Sequence, residues 1–230
     1  MKELPILFSR PMVQSYLKGM KSQTRRLFKY PGMPKDPDFV AHHICQDGGG
    51  NWIAWFGAEK PGLDWDTFTK QAYPKASGIR CRYGKPGDRL WVRETWQHAA
   101  CIESSLEGYA YAADCTDLKE ARDMSNITWR PSIHMPRVAC RILLNVIDIR
   151  VERLHDITEA DAIAEGIEII GHNIHKQPIF KDYSGESLRG NGWSSAKRSY
   201  QSLWQSINGP GSWASNPWVF VISFPPFTSK

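Results

Sequence analysis

The sequence predicts an α+β fold built around a small β-barrel, and three observations predict it. Segments of strand character outnumber helical ones along the 230 residues. Most of them follow one another with no helix between, which argues against a doubly wound parallel sheet. The chain is also 41% hydrophobic and 12% aromatic, enough to build a real core and to exclude wholesale disorder. The expected organisation is one domain over residues 1–230, with insertions at about 30–80 and 170–192.

Taken in order, Leu4, Ile6, Leu7 and Phe8 read as a short opening strand. "SRPMVQSYLKG" then reads as a helix, with Ser9 or Arg10 as cap and Pro11 in the first turn. Met12, Val13, Tyr16 and Leu17 form its apolar stripe, and Gly19 is its stop. Residues 30–80 carry turn chemistry in "PGMPKDPD", "DGGGNW" and "EKPG", interrupted by Trp52, Trp55 and Phe56; they read as an insertion containing a hairpin. In "KPGDRLWVRETW" a turn at Pro86-Gly87-Asp88 feeds a strand from Arg89 to Trp96. "RVACRILLNVIDIRVERL" is β-branched and partly alternating, which predicts one or two further strands.

"ITEADAIAEGIE" predicts a short helix: Thr158 caps it, Asp161 completes a capping box and Gly166 ends it. Residues 171–192 read as a mobile loop rich in Gly, Asn, His and Lys. "SSAKRSYQSLWQSINGPG" predicts an amphipathic helix, with Tyr200, Leu203, Trp204 and Ile207 at helical spacing before a Gly-Pro-Gly stop. "PWVFVISF" closes the chain as a buried strand.

Charge and cysteine content narrow the classes of function. Lys plus Arg exceed Asp plus Glu by 29 to 24, a net +5. This excess suits nucleotide partners but is thin for a protein that tracks many phosphates. Five cysteines, Cys45, Cys81, Cys101, Cys115 and Cys140, are odd in number and never in a CxxC spacing. No stretch has the length of a membrane span, and the apolar run before Ser9 is too short for a signal peptide. The expectation is a protein of the reducing cytoplasm with free thiols and no membrane contact.

Three clusters carry the chemistry. The first is "GMKSQTRR", in which Lys21, Arg25 and Arg26 crowd around Ser22 and Thr24 with no acid among them. Crowded cations disfavour one another's charge, so Lys21 is a candidate for a neutral amine that activates a nearby hydroxyl. Arg25 and Arg26 would then bind phosphate or steady an oxyanion. The plainer alternative is a solvated basic loop after a helix. The second is Glu165, an acid in the last turn of its helix, where the backbone dipole disfavours it; this suggests a cationic partner. The third is "WVRETW" with "WRPSIHMPR": Arg93, Glu94, Trp96, Arg130 and His134 read as the wall of a pocket for a polar aromatic ligand, or as a structural Arg–Glu pair among tryptophans. His172-x-x-His175 and His42-His43-x-Cys45 lack partner ligands, so neither a metal nor a cofactor is expected.

Helix end, "KSQTRR", "KPGDRLWVRETW", "RVERLHDITEADAIAEGI" and C-terminal "LWQSINGPGSW…NPWVFVISF", in that order, resemble the ASCH domain proteins, nearest their longer phage- and prophage-associated members. The resemblance spans most of the chain outside the two insertions and implies a PUA-like barrel with packed helices. It also implies location in the bacterial host cytoplasm. Compact members of that family are amidohydrolases that remove acetyl from N4-acetylcytidine through a K-x-x-T motif and a glutamate. By motif, this resemblance makes Lys21, Thr24 and Glu165 the expected catalytic set. Arg25, Arg26, Arg93, Glu94, Trp96, Arg130 and His134 are the expected substrate-binding residues, and a small nucleoside is the expected partner. The inserted loops are a departure from the compact enzymes. Other members are argued to bind or cut RNA, so an RNA-binding module or a metal-independent ribonuclease is the alternative.

Overall fold

A computed structural model of the chain describes residues 1–28, 39–46, 52–58, 76–79, 81–98, 108–115, 128–185 and 192–228. In chain order the elements are β1 (Glu3–Leu7), α1 (Arg10–Leu17), β2 (Gln23–Leu27), β3 (Phe39–Gln46), β4 (Trp52–Ala58), β5 (Ala76–Ile79), β6 (Arg89–Arg93), β7 (Trp96–His98), β8 (Tyr109–Tyr111), β9 (Leu143–Asn145) and β10 (Asp148–Arg153). There follow α2 (Glu159–Ala164), β11 (Ile169–His172), β12 (Pro178–Phe180), α3 (Ala196–Asn208) and β13 (Trp218–Ser223). The architecture is mixed α and β, as expected. The strands form small open sheets, and among the described residues none closes into a barrel.

Two sheets frame the molecule. In one, β1 pairs parallel with β6, and β6 pairs antiparallel with β9. In the other, β13 lies between β10 and β2, both antiparallel to it. Backbone bonds tie the two together near the β9–β10 turn: Val146 N–H donates to Asp88 O, and Ile147 N–H to Ser223 O, each at 2.9 Å.

The sequence of β13 is apolar without interruption from Trp218 to Ile222 because both of its faces are covered. Successive side chains of a strand point to opposite faces. Phe220 and Ile222 accordingly join a first core cluster with Ile6, Phe8, Val13 and Val92. Val219 and Val221 join a second, with Leu154, Ala162, Tyr200 and Trp204 from the helical side. Full burial of each such side chain stabilises the fold by about 1.5–3 kcal/mol, so this strand is the spine of the domain.

Helix α2 starts as its sequence dictates. Thr158 accepts from the Asp161 N–H at 3.0 Å, and the Asp161 carboxylate accepts from the Thr158 N–H at 3.3 Å, a closed capping box. Glu159, from the first turn of α2, also accepts from the N–H groups of Ala196 and Lys197, which lie in the first turn of α3. An acid at that end is favoured by the α3 dipole and joins the two helices.

Three expectations are corrected. The strand predicted from Arg89 to Trp96 is two, β6 and β7, interrupted at Glu94 and Thr95. The segment around 170–192 is not a plain loop: β11 and β12 form an antiparallel hairpin, closed by a turn in which the Asn173 side chain accepts from the N–H groups of His175 and Gln177. Arg137–Ala139, expected within a strand run, is a 3-10 turn after Pro136. In the 30–80 region β3, β4 and β5 pair antiparallel, which includes the expected hairpin. The turn motifs there, and the side chains of Trp52, Trp55, Phe56, His42, His43 and Cys45, lie outside the described residues. Among the described residues no helix is long and apolar enough to cross a membrane.

Candidate functional site

The basic run is a strand rather than a solvated loop. Lys21 and Ser22 lead into β2, an edge strand of its sheet, and Lys21, Thr24 and Arg25 are 1%, 1% and 4% exposed. The alternation of a strand explains how so many cations are accommodated. Gln23 and Arg25 lie opposite Ser223 and Val221, on the face covered by the helices. Thr24 and Arg26 lie opposite Ile222 and Phe220, on the face of the first core. Like charges adjacent in sequence are thus divided between two environments.

The end of α2 is held by this same segment. The last carbonyls of a helix lack intrahelical donors. Here Ala164 O accepts from the Ser22 N–H at 2.9 Å, Glu165 O from Lys21 Nζ at 2.7 Å, and Gly166 O from Ser15 Oγ at 2.7 Å. Gly166 has φ +82°, and a Cβ there would stand 2.2 Å from Ser15 Oγ and 2.8 Å from Lys21 Cβ. Only glycine both turns the chain at this point and permits so close an approach. The result fixes Glu165, itself buried, against Lys21.

Lys21 Nζ donates to Glu165 Oε2 at 3.0 Å. Burial pushes the Lys21 ammonium below its ordinary pKa; Glu165 opposes the shift, and Arg26 and Arg25 add to it. The other carboxylate oxygen, Oε1, takes Arg25 Nη1 at 3.2 Å. Arg25 Nη2 meets Glu152 Oε1 at 2.6 Å and Asp161 Oδ2 at 3.4 Å, and Nη1 also donates to Gln23 at 2.8 Å. Arg150 closes the chain with bonds to Glu152 at 2.9 Å and Asp161 at 3.0 Å. Burial works against the Arg25 cation, but Glu165, Tyr200 and Glu152 outweigh it and hold the guanidinium above its ordinary value. Arg25 is therefore consumed by carboxylates and orients Glu165. It is not the free anion binder that sequence suggested.

Thr24 presents a different case: its Oγ1 is buried with no hydrogen-bond partner. Lys21, Thr24, Arg25, Arg26 and Glu165 line one pocket of about 220 Å³, walled further by Tyr83, Tyr200 and Trp204. A neutralisable amine, a carboxylate and an unengaged hydroxyl at one cavity are the parts of a general acid–base site.

The remaining predicted residues stand apart from that pocket. Arg93 packs its guanidinium 5.3 Å from the Trp91 ring. Glu94 is buried and receives Arg141 through Nε at 2.9 Å and Nη2 at 3.0 Å, and burial raises its carboxyl pKa against that partner. Trp96 sits in a third core cluster with Met135 and Ala139, with Arg130 5.4 Å over its ring. His134 is exposed on a 3-10 turn. The predicted Arg–Glu pair thus exists with Arg141 in place of Arg93, and none of the five lines the Lys21–Glu165 pocket. Among the described residues no group of three or more His, Cys, Asp or Glu is placed to hold a metal ion.

Sequence reasoning missed Glu152, Asp161 and Gln23 as partners of Arg25, and Arg82, Tyr83 and Tyr200 as pocket walls. The alternation in "DIRVER" was the available signal for Glu152, since it puts Arg150 and Glu152 on one face. No protein-family model, curated protein or solved structure matches the chain.

Proposed function

We propose that the protein is an amidohydrolase of the ASCH type, with a PUA-like arrangement of its strands, acting on an N4-acylated cytosine nucleoside. The observation that carries this reading is the buried Lys21–Glu165 pair, 3.0 Å apart, in a pocket shared with the unpartnered Thr24 hydroxyl. A lysine whose ammonium is disfavoured by burial is a suitable base, because burial brings its neutral form within easier reach than that of a solvated lysine.

The chemistry balances as a hydrolysis. The Thr24 hydroxyl holds a water, and neutral Lys21 takes one of its protons as the water oxygen bonds to the acyl carbon. The carbonyl π pair moves to oxygen, giving a tetrahedral anion. Lys21 passes its proton to Glu165 across their hydrogen bond. The C–N bond then breaks, and its electron pair stays on the departing nitrogen, which takes the proton from Glu165. The products are the amine and the carboxylic acid. Arg25 keeps the Glu165 carboxylate aimed throughout.

The test is incubation of the protein with N4-acetylcytidine, with Lys21→Ala as the control and cytidine release followed by chromatography. Release by the native chain, and a loss of about 10²-fold or more in the variant, is the expected outcome. A folded native chain that releases no cytidine, or a variant of undiminished rate, refutes the assignment. Binding of single-stranded RNA that weakens steeply with salt would favour the RNA-binding alternative instead.

A further inference from the structure

We infer that the substrate of this pocket carries a phosphate, held at the pocket mouth by Arg82 and Arg26. The inference rests on the amidohydrolase reading and adds the class of substrate.

The charge lining the pocket is unbalanced. Lys21 and Arg25 are paired with carboxylates, and among the described residues Glu165 is the only acid in the lining. Arg26 and Arg82 also line the pocket, and among the described residues neither meets a carboxylate. Arg26 donates to the Leu7 carbonyl at 2.6 Å and lies 5.8 Å from the Phe8 ring, and its Nε is buried without a partner. The Arg82 guanidinium lies 5.5 Å from the Tyr83 ring. The two are near enough to repel: burial lowers the Arg26 pKa, Tyr83, Glu165 and Tyr200 oppose that, and Arg82 adds to it. Two guanidiniums at one pocket that hydrogen-bond no carboxylate among the described residues suit an anion, and their planar donors match phosphate oxygens.

Size places the phosphate at the mouth. The pocket of about 220 Å³ is smaller than the roughly 300–1,000 Å³ that encloses a drug-sized ligand. It therefore encloses one end of a nucleoside, the acylated base beside Lys21 and Glu165. The sugar and its substituent project outward, where Arg82 is exposed. Two guanidiniums suffice for one phosphate, whereas a nucleic-acid strand needs a longer basic track, and this favours a mononucleotide over RNA.

The experiment compares N4-acetylcytidine with its 5′-monophosphate in the native protein and in Arg82→Gln, an exposed substitution that leaves the core untouched. Binding of cytidine and cytidine 5′-monophosphate is measured by calorimetry, and acetate release is measured for the two acetylated compounds. The nucleotide is expected to bind about tenfold or more tightly than the nucleoside, with a similar advantage in kcat/KM. Arg82→Gln is expected to bring both ratios close to one. Equal binding of the two by the native protein overturns the inference and leaves the amidohydrolase reading in place. Preferential nucleotide binding without acetate release supports the phosphate site and refutes the hydrolase reading. An unchanged ratio in Arg82→Gln, or binding of single-stranded RNA but of neither small compound, overturns the assignment.

Discussion

Glu165→Gln separates the charge of the buried pair from its shape. Gln fills the same volume, and its amide oxygen can still accept from Lys21 Nζ, which also keeps the Glu165 backbone carbonyl at 2.7 Å. Arg25 retains Glu152 and Asp161. What is lost is the anion facing an ammonium that is 1% exposed. Leaving a buried charge without its partner costs about 3–5 kcal/mol. Lys21 has one escape, deprotonation, which costs about 1.36 kcal/mol for each pH unit below the unfolded value of about 10.4. That route costs about 4.6 kcal/mol at pH 7 and about 1.9 kcal/mol at pH 9. The sign follows: a lysine whose folded pKa is depressed binds fewer protons folded than unfolded, so stability rises with pH up to the unfolded value. In native protein the Glu165 charge resists that depression; in the variant only neutral acceptors do, and the rise begins at lower pH. Urea unfolding of both proteins from pH 6 to 9 should show a deficit of about 3–5 kcal/mol at pH 7 that shrinks to about 2 at pH 9. The double variant Lys21→Met/Glu165→Gln should regain part of the pH 7 loss. A deficit independent of pH, or a double variant less stable than Glu165→Gln at pH 7, would refute the reasoning.

Two further predictions bear on the same wall. Thr24→Val keeps the side-chain shape and removes a buried hydroxyl that has no partner, so it should stabilise the protein by about 1 kcal/mol in urea unfolding while abolishing turnover; a loss of stability greater than that gain would show that the hydroxyl has a structural role. Gly166→Ala imposes a left-handed residue and a Cβ 2.2 Å from Ser15 Oγ, and should cost about 2–4 kcal/mol by thermal or urea unfolding. Adding Ser15→Ala should recover part of that cost, and a Gly166→Ala protein of native stability would mean that the α2 terminus shifts freely.

Local interactions were legible in the sequence, and distant ones only in part. The Thr158–Asp161 capping box, the Gly166 stop and the Tyr200–Trp204 part of the α3 stripe are each determined within a few residues, and each is present; Ile207, expected in that stripe, is 59% exposed. The interruption of the 89–96 strand was not legible, because "WVRETW" continues the alternation of burial straight through Glu94 to Trp96 while the ladder stops at Arg93. Neighbours on a strand point to opposite faces, so Arg93 could not have served Glu94; its partner Arg141 lies 47 residues away. Lys21 and Glu165 are 144 residues apart, and composition or periodicity has no means of joining them. Their convergence was anticipated only through motif resemblance and through the oddity of an acid at a helix C-terminus. That oddity has a physical resolution in the structure, where the cation near the α2 terminus is Lys21, and the pair offsets what the dipole disfavours.

The distribution of cost around the pocket argues for use over structure. A buried ion pair made only for stability gains little, since apolar residues of the same volume often serve as well or better. An unpartnered buried hydroxyl is a further cost of about 1–3 kcal/mol with no structural return. Gly166, held at positive φ against Ser15, removes the freedom that would let the two partners separate. By contrast, the Arg25 network a few ångströms behind them is fully satisfied, with Gln23, Glu152, Asp161 and Glu165 all engaged. An assembly that holds one carboxylate rigid from behind while leaving a hydroxyl unpartnered beside a buried amine is consistent with a pocket shaped for a ligand. The two guanidiniums at its wall that bond no carboxylate among the described residues extend the argument: under the proposed reading, the unpartnered Thr24 Oγ1 and Arg26 Nε, with exposed Arg82 beside them, are groups a phosphorylated amide would meet.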